Sequence, residues 1–420
     1  MTLTNKKANC AVDIDRISDL PCNVIDGILK HLNVEELVCT SLLSRKWRYV
    51  WNTVPQLVFS ENFFSRFEDV DDPSPEICRI ISEVLLQHNG SIYSFTLDIP
   101  PVSNILITAE YYNKWILFLS RKGIKELALS NYGIFCDKMP SHVFSCQELT
   151  HFWLSGFNVS VLPNFCGLKN LLELHLHNNT YEFGALETLI SGCPSLKELN
   201  IELVGDMKSI CLKKAKNLID LRLTVNQKSV SGLIKSLPNI QRLTLETYCD
   251  KTFYADIIPP SQLISLKYLK FNCVNLDERG ELLYIVSVLK SASNLVELDI
   301  ESDTLDGEHE PYQLEELERN SYCFSQLQTV NISIGTVDFK HAMSLIRFIL
   351  ANFSSLKTLA FKVGFPREKL DPTAVLSIFQ DLLSMKRASQ RACVEFTRGD
   401  IDVQYVILPS GFEYKQKLTF

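Results

Sequence analysis

The chain has 420 residues, 46% apolar and 22% charged, which is the composition of a folded protein of two or three domains, or of one solenoid with additions, and excludes wholesale disorder. Forty-nine acids against 42 bases give a net charge of −7, which argues against a dedicated nucleic-acid or anionic-membrane binder. Thirteen scattered cysteines without a Cys-x-x-Cys pair, no apolar leader in residues 1–15 and no run of ~18 apolar residues predict a reducing compartment, cytoplasm or nucleus, with no membrane span.

Residues 1–15 read as a flexible polar tail. Pro21 suits a first helical turn, and Val24, Ile25, Ile28, Leu29 and Leu32 follow at helical spacing. Asn33 with Glu36 predicts a capped second helix carrying Leu37 and Val38. Ser44 predicts the cap of a third, with Trp47, Val50, Trp51 and Val54 on one face and Pro55 as its stop. Three short helices make too small a core to be robust, so this module (residues 16–60) is expected to lean on a neighbour or a partner. Trp51 and Leu42 are assigned to holding its helices together. Residues 61–76 are acidic and end in Asp-Val-Asp-Asp-Pro-Ser-Pro, which predicts a linker. Ile77 to His88 resumes helical spacing.

From Ile92 to Phe361 a phrase of the form Leu-x-x-Leu-x-Leu recurs. Its first residues are Ile92, Ile124, Leu149, Leu171, Leu196, Leu218, Ile240, Leu266, Leu295, Leu327 and Leu356. A fixed apolar phrase at this interval marks a stacked repeat, each unit supplying one short strand to a common sheet. The expected architecture is α/β: a three-helix N-terminal module, an irregular solenoid of roughly 11 units with repeats over 77–323, an α/β cap over 324–400 and an extension over 401–420. Ala185–Cys193, Leu282–Ser291, Asp338–Phe353 and a segment from Asp371-Pro372 read as helices, and Cys393–Phe396 as a last strand. An Asn three residues after the phrase would satisfy turn backbone groups; Asn179 and Asn226 fill that place. Residues 302–323 crowd acids together and read as a surface loop or short acidic helix.

Leu20-Pro21, Val24-Ile25, Ile28-Leu29, Glu36-Leu37, Ser44-Arg45-Lys46-Trp47-Arg48 and Trp51 together resemble an F-box, with Ser44 in place of the usual cysteine. Ser355-Leu356-Lys357-Thr358-Leu359, Asp381-Leu382-Leu383 and Arg387-Ala388-Ser389-x-Arg391-Ala392 are similar to the FBD domain that ends many plant F-box proteins with leucine-rich repeats. The resemblance covers nearly the whole chain. It implies a non-catalytic substrate receptor in a ubiquitin ligase, docked on a Skp-family adaptor, and through it a cullin, by Leu20, Pro21, Val24, Ile25, Ile28, Leu29 and Trp47. The repeats would hold an unknown target protein. Two other readings stay open: a repeat scaffold that joins no ligase, and a co-receptor for a small hormone.

For chemistry the sequence has no phosphate loop, nucleophile elbow or His-Glu-x-x-His, so no enzyme, metal or cofactor is expected. His175-x-His177 has metal-like spacing but reads as polar binding surface. Residues between the inward leucines should line the concave face, most of them polar, running from Glu126, Ala128 and Ser130 to Glu297, Asp299 and Glu301. Within that set Trp153, Arg222 and Arg242 are the leading target contacts, with His175, His177 and Tyr268 beside them, because tryptophan and arginine dominate interface hot spots. The basic clusters Lys213-Lys214-x-Lys216 and Lys386-Arg387-x-x-x-Arg391 read as solvated faces.

Overall fold

The computed structural model describes residues 17, 20–101, 105–132, 137–203, 212–225, 239–247, 263–276, 279–302, 326–335, 340–364, 372–398, 403–408 and 411–416. The chain divides into two compact units, residues 1–156 and 157–420.

The first unit begins with helices α1 (Cys22–Leu29) and α2 (Val34–Thr40). A reciprocal capping box starts α2. Asn33 Oδ1 accepts from the Glu36 N–H at 2.9 Å, and Glu36 Oε2 accepts from the Asn33 N–H at 3.0 Å. The expected third helix is instead a pair of single 3-10 turns, Trp47–Tyr49 and Trp51–Thr53. Its bonds run from Val50 N–H to Trp47 O and from Val54 N–H to Trp51 O, a three-residue step. That tighter winding still buries both Trp47 and Trp51, and Pro55 stops it before a full α-turn accumulates. Leu42 does not hold the helices together. It lies in the turn after α2 and is 85% exposed.

The stretch expected as a linker carries regular structure except for turns and bends at 68–73. Strand β1 (Gln56–Phe59) leads into α3 (Glu61–Phe64) and a turn at Ser65–Phe67. The acids of this stretch face water while Phe63 and Phe64 are buried, Phe63 edge-on to Phe59 at 5.1 Å. Next come α4 (Ser74–Gln87), β2 (Ser94–Ile99), α5 (Ala109–Ser120), β3 (Glu126–Asn131), the two-residue β4 (Asp137–Lys138) and β5 (His151–Ser155). Strands β1, β2, β3 and β5 pair in parallel, so Leu57, Phe95, Leu127 and Phe152 form one interior row, and Phe59, Leu97, Leu129 and Leu154 the next. Each fully buried Leu or Phe is worth roughly 1.5–3 kcal/mol, and it is buried only because the next strand brings its equivalent. Gly156 closes β5 at φ +80°; a Cβ there would stand 1.7 Å from the Asn131 carbonyl oxygen, so only glycine fits. The main chain also ties the helical module to the repeats. Pro55 O accepts from the N–H groups of Tyr93 and Ser94, and Asn52 O from that of Asn89.

The second unit starts with β6 (Phe157–Val159), β7 (Glu173–His177), β8 (Thr180–Tyr181), α6 (Ala185–Ser191) and β9 (Glu198–Leu203). It continues through β10 (Asp220–Val225), β11 (Arg242–Thr247), β12 (Tyr268–Asn272), α7 (Arg279–Ser291) and β13 (Glu297–Ser302). Then follow β14 (Thr329–Ile334), α8 (Lys340–Asn352), β15 (Thr358–Val363), α9 (Pro372–Ser384) and β16 (Cys393–Arg398). Strands β7 and β9 to β16 lie side by side in parallel, in register at the repeat phrase: Leu174, Leu199, Leu221, Leu243, Leu269, Leu298, Val330, Leu359 and Val394 share one buried row. The helices expected at Ala185–Cys193, Leu282–Ser291, Asp338–Phe353 and from Asp371-Pro372 are present. The C-terminal extension adds two antiparallel strands, β17 (Val403–Leu408) and β18 (Gly411–Gln416), which reverse the direction of the array at its end. Asn179 is almost wholly buried and bonds to the backbone of the preceding repeat, at Phe157. Asn226 and nearly all of the acidic stretch 302–323 lie outside the described residues.

Candidate docking surfaces

The helical module shows water more apolar surface than its size warrants. Val24 and Ile28 on α1, Val38 on α2, and Leu42, Leu43 and Tyr49 in the following turns are all exposed, as is Ile17 ahead of α1. Pro21 is exposed, and Leu20 and Ile25 are partly so. Leu29 and Trp47 face inward at 1% and 3% exposure and build the module's core. Helical spacing marks an apolar face without saying which part of it a neighbour covers. The signal for Leu42, Leu43 and Tyr49 is that the module holds more large apolar residues than one small core can take.

In the second unit the polar residues between the leucines line a cleft of about 460 Å³ over β9 to β12. Its walls bring together His177, Arg222, Arg242 and Tyr268, four of the residues singled out from sequence. Most of its charges are matched internally. Arg242 Nε donates to Asp220 Oδ2 at 3.1 Å, and its guanidinium lies 3.9 Å above the Tyr268 ring centroid. The Tyr268 hydroxyl donates to Asp299 Oδ2 at 2.6 Å, and Asn331 Nδ2 donates to Asp299 Oδ1 at 2.6 Å. Burial, then its bond to Asp299 and that carboxylate's charge, hold the Tyr268 phenol above its usual ionisation range. Lys270 meets Glu301 at 3.0 Å, Arg222 meets Glu198 at 3.7 Å and His177 approaches Glu202 at 3.9 Å. Three acids nevertheless stand in one row on adjacent strands, Glu173, Glu198 and Asp220. Burial first, then the charges of Asp220 and Glu173, raise the Glu198 carboxyl above the usual carboxylate range. His175 is held below the usual imidazole range, chiefly by burial.

The corresponding face of the first unit has a different character. The rings of Trp153 and His151 stack 5.7 Å apart and 11° from parallel. The next residues in register with Trp153 are the small side chains of Ala128 and Thr96. Glu126 beside His151, and Asp98 in the row of Ser130 and Ser155, are half-buried and make no ion pair among the described residues. Ser155 is 5% exposed and its hydroxyl has no hydrogen-bond partner among the described residues.

Elsewhere, Lys213, Lys214 and Lys216 are exposed, and Arg387 is tied to the Ala392 carbonyl at 2.9 Å. Burial pushes the Cys78 thiol up to about 11 and the Cys146 and Cys193 thiols up to about 12, which keeps them protonated. No helix among the described residues is long and apolar enough to cross a membrane.

Parallel strands in register, each entered through the same apolar phrase, define a leucine-rich-repeat protein, here preceded by a small helical module with an exposed apolar surface. The F-box domain family matches residues 17–58, and the family described as FBD-associated F-box protein At5g56370, LRR repeats, matches residues 112–277. Among similar chains from Arabidopsis thaliana, F-box/FBD/LRR-repeat protein At1g13570 is 29% identical over 91% of this chain and 98% of its own length. F-box/LRR-repeat protein 13 is 25% identical over 86% and 80%, and the putative F-box/FBD/LRR-repeat protein At5g44950 is 32% identical over 44% and 42%. The chain is thus similar to F-box proteins with FBD-associated leucine-rich repeats, through its F-box match and its repeat match.

Proposed function

We propose that this chain is the target-binding subunit of a Skp–cullin–F-box ubiquitin ligase of the cytoplasm or nucleus. The observation that carries the proposal is the F-box at residues 17–58 with Val24 and Ile28 exposed on α1 beside an exposed Pro21. Leu20, Pro21, Val24, Ile25 and Ile28 make the docking surface for a Skp-family adaptor, and Leu29 and Trp47 support it from beneath. The chain itself makes and breaks no bonds. It raises the effective concentration of a bound target near ubiquitin carried elsewhere in the assembly.

The target is held by the polar strand faces. A small-molecule pocket is mostly apolar, whereas the cleft over β9 to β12 is lined mainly by charged and hydrogen-bonding side chains. That composition favours a protein target over a hormone.

The test is co-expression of the full chain with a plant Skp-family adaptor, followed by size-exclusion chromatography. A one-to-one complex is expected. Leu20→Ala with Pro21→Ala should cost roughly 2 kcal/mol of binding, about thirtyfold. A folded chain that elutes alone, or a complex indifferent to the double substitution, would overturn the adaptor assignment.

A further inference from the structure

We propose that the polar face of β2, β3 and β5 receives an arginine side chain of the target. This rests on the reading that the repeats bind a target, and it names the chemistry that one part of them selects.

The argument starts from a contrast between two faces built on the same repeat. In the second unit most acids of the polar face have a partner within the chain: Asp220 has Arg242, Glu301 has Lys270, and Asp299 has Tyr268 and Asn331. In the first unit Asp98 and Glu126 have none among the described residues, and the polar positions of β2, β3 and β5 hold no lysine or arginine. Half-buried carboxylates lose part of their hydration without compensation, and a cation delivered from outside restores it.

The second element is Trp153. Its neighbours in register, Ala128 and then Thr96, are small, so the indole flanks a trough about two strand spacings wide, roughly 9–10 Å. Asp98 and Glu126 sit on opposite sides of that row, each one diagonal step from Ala128 or Thr96. A third, independent sign is Ser155, 5% exposed and in phase with Trp153 along β5, whose hydroxyl lacks a partner among the described residues.

Arginine fits this set better than any other side chain. Its planar guanidinium stacks on an indole while its N–H groups donate to carboxylate or hydroxyl oxygens around it. Lysine carries the charge without the plane, and an aromatic side chain stacks but leaves both carboxylates unpaired.

The experiment selects a displayed random dodecapeptide library on the full-length protein, then measures enriched peptides made synthetically with arginine, lysine or citrulline at the shared position. The expected result is a motif containing arginine, with Kd weakened at least tenfold by citrulline and severalfold by lysine. Trp153→Ala should weaken binding by tenfold or more. So should the near-isosteric pair Asp98→Asn with Glu126→Gln, whose unchanged volume guards against misfolding, checked by thermal melting. Enriched peptides without arginine, or binding insensitive to both variants, would overturn the inference. If such peptides respond instead to Arg222→Ala with Arg242→Ala, target binding by the repeats stands and only the arginine site fails. If no peptide is enriched, or no substitution on either polar face alters binding, both fail.

Discussion

Asn179 Oδ1 accepts a hydrogen bond from the backbone N–H of Phe157 at 2.9 Å, so a side chain from one repeat completes the main chain of the repeat 22 residues before it. Both residues are buried. Asn179→Ala would leave that N–H without a partner in a site water does not reach, which costs about 1–3 kcal/mol. Urea unfolding of the purified chain measures it. A variant as stable as the parent would show that the bond contributes nothing net.

The F-box separates stability from docking. Trp47 is a core residue, and Trp47→Ala should cost about 3–5 kcal/mol in denaturant unfolding. Ile28 is exposed, so Ile28→Glu should change stability by no more than roughly 0.5 kcal/mol. The same Ile28→Glu should weaken adaptor binding about tenfold or more, read by calorimetric titration with purified adaptor. Equal loss of stability in the two variants would contradict the burial difference.

Glu198 stands between Glu173 and Asp220 in the row of acids, with its carboxyl raised by burial and by both neighbours. A raised folded-state carboxyl favours the proton, so its charge opposes folding at neutral pH and that opposition fades as pH falls through the carboxylate range. Glu198→Gln should therefore stabilise the chain at pH 7 by a few tenths to about 1 kcal/mol, with the gain shrinking toward pH 4. Arg222, 3.7 Å away, loses an ion pair in the variant and sets the upper limit. Melting curves at the two pH values decide; destabilisation at pH 7 would mean that the Arg222 pair outweighs the repulsion.

His88 closes α4 with its ring buried and Nε2 2.8 Å from the Val54 carbonyl oxygen. Lys122 Nζ lies 3.1 Å from the His88 carbonyl, and burial holds the imidazole below its usual range. A depressed folded pKa contributes stability above pH ~6.5 that is lost as pH falls through the folded value. Melting temperature should decline between pH 7 and pH 5, and the decline should be shallower in His88→Asn, which starts lower. Parallel pH profiles for the two proteins would remove His88 from the account.

The repeat strands were legible because the Leu-x-x-Leu-x-Leu phrase carries both period and phase. Once Leu174 and Leu176 face inward, the side on which His175 and the acids of Glu173, Glu198 and Asp220 lie follows. The helices after Gly184 and Asp371 were legible from spacing and punctuation. Strand β1 was not, because Leu57 and Phe59 alternate over only four residues, too few to distinguish a strand from the tail of a helix. The closing pair β17 and β18 lacks the phrase altogether. At the candidate surfaces, sequence placed Trp153, Arg222 and Arg242 on polar strand faces. It was silent on which charges are already matched, since that depends on side-chain reach between strands, as Arg242 with Asp220 shows and as Glu126, with no partner among the described residues, shows equally. Leu42 was misplaced because a residue beyond the end of α2 no longer follows the helical period.

Strand β1 also sets where this molecule can be cut and rejoined. Because Gln56 to Phe59 lie in ladder with Ser94 to Leu97, the last strand-forming residues of the F-box are the first rung of the repeat sheet, and no swivel exists between the two. Exchange of F-boxes between relatives at a junction after Phe59 would strip the sheet of its own first strand, the one that pairs beside Phe95 and Leu97, both now buried. A junction placed at Pro55 would leave the rung with the repeats, so the F-box behaves as a cartridge only when its own final strand stays behind.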